Sequence, residues 1–167
     1  MLISDGVIGL RPIEVADASV HMAEEDGEIL RRFYGGANPA TKVATCFRQC
    51  ADEWASDGPN KVFMVVNTAG QPVGTMAIEL AREFLAVRQA NVCYGIYPAR
   101  RHQGMGVRTL VLACRYLAGH DMADEAVLRV HPDNKLAVAV AHRVGFTYHH
   151  SSEDPVYGRL DWFLQAL

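Results

Sequence analysis

The sequence predicts an α/β fold of the α+β kind, a sheet with helices packed on its faces. Three observations predict it. Apolar residues recur at helical spacing in some segments and gather in short β-branched runs in others. The segments follow the order β-α-α-β-β-β-α-β-α-β-β, which neither an all-helical nor an all-strand architecture accommodates. The chain has 167 residues, 50% of them hydrophobic and 21% charged, so one domain over residues 1–167 can bury its own core.

Val7 to Pro12 reads as a first strand, ended by the proline. Val15, Ala18, Met22, Ile29, Leu30 and Phe33 give residues 14–33 a loose helical pattern, broken by the acidic run Glu24, Glu25 and Asp26. That run reads as a solvated face or a short kink. Gly35 and Gly36 end the segment. Val43, Cys46, Phe47, Cys50 and Trp54 fall on one face of a helix over residues 40–55, stopped by Ser56 to Pro59. The period then changes. Residues 61–67 and 73–80 are apolar runs around the turn Ala69 to Pro72, and together they read as a hairpin. Residues 90–98 form a further strand ended by Pro98. Val107, Leu110, Val111, Cys114, Leu117 and Ala118 share one helical face, closed by Gly119. Residues 126–131 are a strand. Asp133 is a plausible N-cap for a helix carrying Leu136, Val140 and Val144, with Gly145 just past its end. Residues 146–150 and 159–167 read as closing strands.

Sixteen basic against 19 acidic residues give a formal charge of −3, so no basic excess is available for a phosphate backbone, and nucleic acid is not expected as a partner. No stretch approaches the ~20 apolar residues of a membrane span, and the first residues lack the basic and long apolar regions of a signal peptide. The expectation is a soluble, cytoplasmic protein without membrane partners. No metal is expected either. Cys46 and Cys50 could face one way, but no second close pair of Cys or His follows. His149 and His150 should point to opposite faces of a strand.

The most informative segment runs from Tyr94 to Val111: a strand, a glycine-bearing loop, then a strongly amphipathic helix. The start of a helix presents unpaired N–H groups and a partial positive charge, and glycine lets backbone approach an anion. Arg100, Arg101 and Arg108 add full charges nearby. The pattern asks for a diphosphate or similar anion. It is not a triphosphate loop, because Val107 and Arg108 follow Gly106 where Lys and Ser or Thr would be needed. It is not the dinucleotide fingerprint either, since Thr109 replaces the third glycine.

Arg101-His102-Gln103-Gly104-Met105-Gly106 matches the Arg/Gln-x-x-Gly-x-Gly/Ala signature of the GCN5-related N-acetyltransferases, the GNAT family. Pro98, three residues earlier, and the later Asn134 to Ala137 and Val144 to Phe146 segments resemble the same family in the same order. The resemblance covers nearly the whole chain and is nearest to the ribosomal-protein N-terminal acetyltransferase branch. It implies a mixed, mostly antiparallel sheet of about six to seven strands with a splayed central pair. It implies acetyl-CoA as the acyl donor, with the amides of His102, Gln103, Gly104, Met105, Gly106 and Val107 around the pyrophosphate and Arg101 beside them. Tyr94 and Ile96 on the preceding strand would face the pantetheine arm, and Asn134 would bind near it as well as capping its own helix.

Acetyl transfer needs a neutral amine, and an α-amino group at ~7.7–8.0 is far easier to use than a lysine at ~10.4. Glu79, at the end of a strand where the family often has a carboxylate, is the candidate base; His131, beside Asn134, is the second. One departure stands out. Where many family members place a tyrosine acid this chain has Ala141, and where the nearest branch often has a serine it has Ala137. The leading expectation is therefore an N-acetyltransferase acting on a small-molecule or peptide amine by direct attack in a ternary complex, as a monomer or homodimer. A catalytically weak acyl-CoA-binding regulatory module is the alternative.

Overall fold

The structure is a computed structural model, and it describes residues 3–35 and 38–167. Among these the strand-like runs assemble into one eight-stranded sheet in the order β1-β2-β3-β4-β5-β6-β8-β7. The strands are β1 (Ile3–Ser4), β2 (Ile8–Pro12), β3 (Asn60–Asn67), β4 (Pro72–Glu79), β5 (Gln89–Ile96), β6 (Glu125–Val130), β7 (Thr147–Asp154) and β8 (Gly158–Ala166). The helices are α1 (Asp17–Glu24), α2 (Gly27–Tyr34), α3 (Pro39–Ala55), α4 (Met105–Gly119) and α5 (Lys135–Val144). Every neighbouring pair is antiparallel except β5 with β6.

Side-chain alternation sorts the two faces. Met76, Ile78, Val92, Leu128 and Val130 turn to one face and pack with Leu110, Ala113, Tyr116 and Leu117 of α4 in the main core. The other face of β3 meets α1, α2 and α3 through a second core of Ile13, Leu30, Val43 and Phe47, with Met22, Tyr34 and Val62 against it. Glycine at position 74 lets β4 approach β5 very closely, because a Cβ there would collide with the Gly95 carbonyl oxygen. No helix among the described residues is long and apolar enough to cross a membrane.

Most sequence boundaries agree within two residues. The sheet has eight strands rather than six or seven because Ile3–Ser4 pairs with Leu10 and Gly9, a rung too short to show alternation. The acidic run does interrupt the first helical segment. Asp26 caps α2 by accepting the Glu28 and Ile29 amides at 2.9 and 3.2 Å. Asn134, not Asp133, caps α5, accepting the Ala137 N–H at 3.1 Å. The two adjacent histidines do not diverge. A register shift between Tyr148 and His150 breaks the alternation, and the Nδ1 atoms of His149 and His150 lie 2.8 Å apart.

Candidate active site

The parallel ladder between β5 and β6 has three rungs, Gln89↔Glu125, Ala90↔Ala126 and Asn91↔Val127, and then stops. Beyond it, β5 keeps its pairing with β4 as far as Ile96↔Gly74, while β6 keeps its pairing with β8 as far as Val130↔Asp161. The two strands therefore splay into a V that opens toward Ile96. Tyr97 donates its N–H to the Val73 carbonyl at 3.0 Å. Backbone polar groups alternate along an antiparallel strand, so those of Tyr94 and Ile96 turn away from β4, into the gap. The Ile96 carbonyl accepts Arg101 Nε at 3.0 Å, which folds the following loop back against the mouth of the V.

That loop is a single 3-10 turn over Pro98–Arg100, then Arg101 to Gly104, then α4. His102 and Gly104 both have positive φ, 60° and 74°. A Cβ at Gly104 would meet nothing within 4 Å, so glycine is needed there for its backbone conformation rather than for space. Among the described residues no side chain caps α4. The first amides of a helix lack intrahelical acceptors, so those at Met105, Gly106 and Val107 point out of the helix end toward the V. Tyr94 packs on this first turn: a Cβ at Gly106 would lie 3.1 Å from its ring. Burial pushes the Tyr94 hydroxyl up to about 12, so it stays protonated near neutral pH. Arg108 is less available to an anion than its position in the sequence suggests, because Nη1 bonds Asp5 Oδ2 at 2.7 Å.

The opposite face of the V carries Thr75, Ala77 and Glu79 of β4, paired across to Gly95, Cys93 and Asn91 of β5. Cys93 is exposed on this face of the cleft. Glu79 sits at the closed end. Its Oε1 accepts Arg82 Nη2 and its Oε2 accepts Asn91 Nδ2, both at 2.8 Å. His131 and Asn134 lie just past β6, on the bank opposite β5. His131 Nδ1 accepts the Asp133 N–H at 3.1 Å. Ala141 is fully buried in the main core, and no side-chain hydroxyl is offered there.

The structure brings to the cleft one carboxylate of the acidic run that the sequence reads as a solvated face or kink. Glu25, in the break between α1 and α2, brings Oε2 to 3.8 Å from where a Gly95 Cβ would stand, with Thr75 Oγ1 4.0 Å from the same point. Burial pushes the Glu25 carboxyl up; the Asp26 N–H it accepts at 2.9 Å and the charge of Arg101 oppose that rise. Behind Gly95, Tyr97 is fully buried, and His21 joins it to Tyr34, with Nδ1 2.9 Å from the Tyr97 hydroxyl and Nε2 3.3 Å from the Tyr34 hydroxyl. Nothing in the one-dimensional pattern distinguishes Glu25 from Glu24. Only the helix break turns one of them toward the sheet. Among the described residues no group of three or more His, Cys, Asp or Glu is placed to hold a metal ion.

Comparison with known proteins agrees with this geometry. The chain resembles Mycobacterium smegmatis RimJ in complex with CoA-disulfide, with 20% identity and a TM-score of 0.81 over 96% of this chain and 82% of that one. It resembles the Salmonella typhimurium acetyl transferase that modifies the N-terminal serine of ribosomal protein L7/L12, with 13% identity and a TM-score of 0.83 over 99% and 98% of the two chains. It also resembles Vibrio cholerae spermidine N-acetyltransferase in complex with CoA and spermine, with 14% identity and a TM-score of 0.77 over 97% and 96%. At these identities the likeness is one of fold. No curated protein sequence matches the chain. A family model for the acetyltransferase (GNAT) domain matches residues 8–147, most of the chain. The splayed strands and the uncapped, glycine-led helix thus have a family to match: the chain belongs to the GNAT acetyltransferases.

Proposed function

We propose that the protein moves an acetyl group from acetyl-CoA to a primary amine by direct attack in a ternary complex. The observation that carries this reading is the V between β5 and β6, placed beside the uncapped N-terminus of α4. Inward-turned backbone on Tyr94 and Ile96 suits an amide-bearing arm, and the amides from His102 to Val107 suit a diphosphate. Arg101 braces the loop. Asn134 completes the far bank.

Much of the rate comes from holding amine and thioester together, which in favourable cases supplies ~7–11 kcal/mol. The amine must lose a proton. Glu25 is half-buried beside Gly95, and burial raises its affinity for a proton, the direction that suits a general base. Glu79 and His131 are the other proton acceptors at the cleft, and Glu79→Gln and His131→Gln belong in the same assay. A backbone N–H of β5 turned into the gap would stabilise the developing oxyanion. Tyr94, protonated and packed from β5 against the first turn of α4, is a proton source on the donor side.

The test mixes the protein with acetyl-CoA and a panel of peptide N-termini, polyamines and small amines, and follows free thiol. Amine-dependent thiol release is expected. The buried Ala141 favours a second reading, an acyl-CoA-binding module. Tight CoA binding with no release across the panel would select the module, and no CoA binding would overturn both.

A further inference from the structure

Arg129 stands on β6, two residues past the last rung shared with β5. Its neighbours Leu128 and Val130 enter the core with α4, so Arg129 turns to the opposite face, the one that carries Glu79 and Cys93. Its side chain is 16% exposed. The guanidinium carbon lies 3.6 Å from the centre of the Phe84 ring and 5.6 Å from that of Trp162. Two aromatic rings thus lie within cation–π reach of the guanidinium.

What this cation lacks is an acceptor. Its Nε is buried with no hydrogen-bond partner among the described residues. The carboxylate it pairs with, Asp154, is 3.8 Å from Nη1, beyond hydrogen-bonding distance. Asp154 is committed to the turn after β7, accepting the Val156 and Tyr157 amides at 2.8 and 2.9 Å. The other carboxylates on this face are engaged elsewhere: Glu79 accepts from Arg82 and Asn91, Glu125 from Gln89 and Glu25 from the Asp26 N–H. Arg82 and Glu79 neutralise each other, and Cys93 is a neutral thiol, so Arg129 is the cation on this face left without a hydrogen-bonded anion among the described residues. A guanidinium with a buried, idle Nε, and with no hydrogen bond from its Nη groups among the described residues, is completed by an anion that reaches the fork. The diphosphate-binding amides belong to α4, on the other side of the sheet, so an anion at Arg129 must arrive with the acceptor.

We propose that Arg129 is a specificity-determining residue that receives a carboxylate carried by the acceptor, within about one residue of the amine. This rests on the reading of the cleft as an acetyl-transfer site. Two amidated tripeptides, Ser-Glu-Ala and Ser-Gln-Ala, share one α-amino group and differ by one charge. Their affinities for the CoA-saturated protein, measured by calorimetry, test the proposal. The glutamate peptide should bind at least tenfold tighter, and Arg129→Gln should bring it down to the level of the glutamine peptide. Arg129→Lys keeps charge and stem but loses the fork. It should lose most of the preference, and it decides the matter if Arg129→Gln does not fold. No preference in the wild type, including no binding by either peptide, overturns the proposal, as does a preference that survives both substitutions. Acetylation of the two peptides, followed in parallel, separates the two readings. Equal binding with equal acetylation removes the role of Arg129 and leaves acetyl transfer standing. A glutamate preference in binding without thiol release does the reverse.

Discussion

Surroundings decide the chemistry of the titrating residues here more than residue type does. Glu24 and Glu25 are adjacent and identical, yet only Glu25 reaches Gly95, and burial shifts its proton affinity upward. As the base it should give an acidic limb in kcat/KM that lies above the ordinary ~4.3 of a glutamate. Glu25→Gln should lower kcat by ~10²–10⁴ and remove that limb. A variant that keeps both rate and limb would exclude Glu25. His21 is a plainer case, 5% exposed and pushed down to about 4 by burial, against ~6.5 in an unfolded chain. Above ~6.5 neither state holds the extra proton, and the full stability is present. As pH falls, the unfolded chain takes up a proton that the fold refuses, so stability drops until the fold itself protonates near 4. At 1.36 kcal/mol per unit the loss approaches about 3 kcal/mol. Urea unfolding at pH 7 and pH 4.5 should show this loss in the wild type and less of it in His21→Gln. An equal loss in the two proteins would assign the slope to the carboxylates.

At the scale of elements, periodicity located every long helix and strand, because a face that must be buried imposes its spacing on the sequence. It missed features that leave no periodic trace. β1 is two residues long, and the bulge that brings His149 to His150 is a matter of register rather than composition. Asp133 and Asn134 are equally good caps in the abstract, and backbone geometry chose Asn134. The loop before α4 was legible because its glycines and arginine form a fixed string. The structure adds the reason for one of them. Gly104 has φ 74° with open space around it, so Gly104→Ala should cost about 1 kcal/mol of stability and spare most CoA affinity. Gly104→Glu places a negative charge at the mouth of the amides, and it should abolish CoA binding while circular dichroism shows the fold retained. A folded Gly104→Glu protein with unchanged CoA affinity would move the diphosphate elsewhere.

Across the whole molecule, the splay was legible only through family resemblance. Hydrophobic runs at β5 and β6 look like any two buried strands, and nothing in either run announces where their ladder ends. Structurally the consequence is large. The sheet β1 to β5 joins β6, β8 and β7 through three parallel rungs, reinforced by Gln89 Nε2 to Glu125 Oε1 at 2.7 Å and by Arg88 on Asp121 and Asp124 at 2.6 and 2.7 Å. A ligand in the V would bridge the two parts and supply partners to backbone that the ladder leaves unpaired. Binding to the folded state alone raises stability by ~2.7 kcal/mol at one hundred times Kd. That global term slows the amides that exchange through complete unfolding, which include the innermost ones, such as those of Phe63 to Val66 on β3. The amides of Tyr94 and Ile96 and those of Met105 to Val107 exchange through local exposure instead, so CoA should protect them by a larger factor than any amide on β2 or β3. Hydrogen exchange with and without saturating CoA measures both factors. Uniform slowing, with no excess protection at β5 and the start of α4, would mean that CoA binds outside the V, and the acetyl-transfer geometry would have no foundation in this fold.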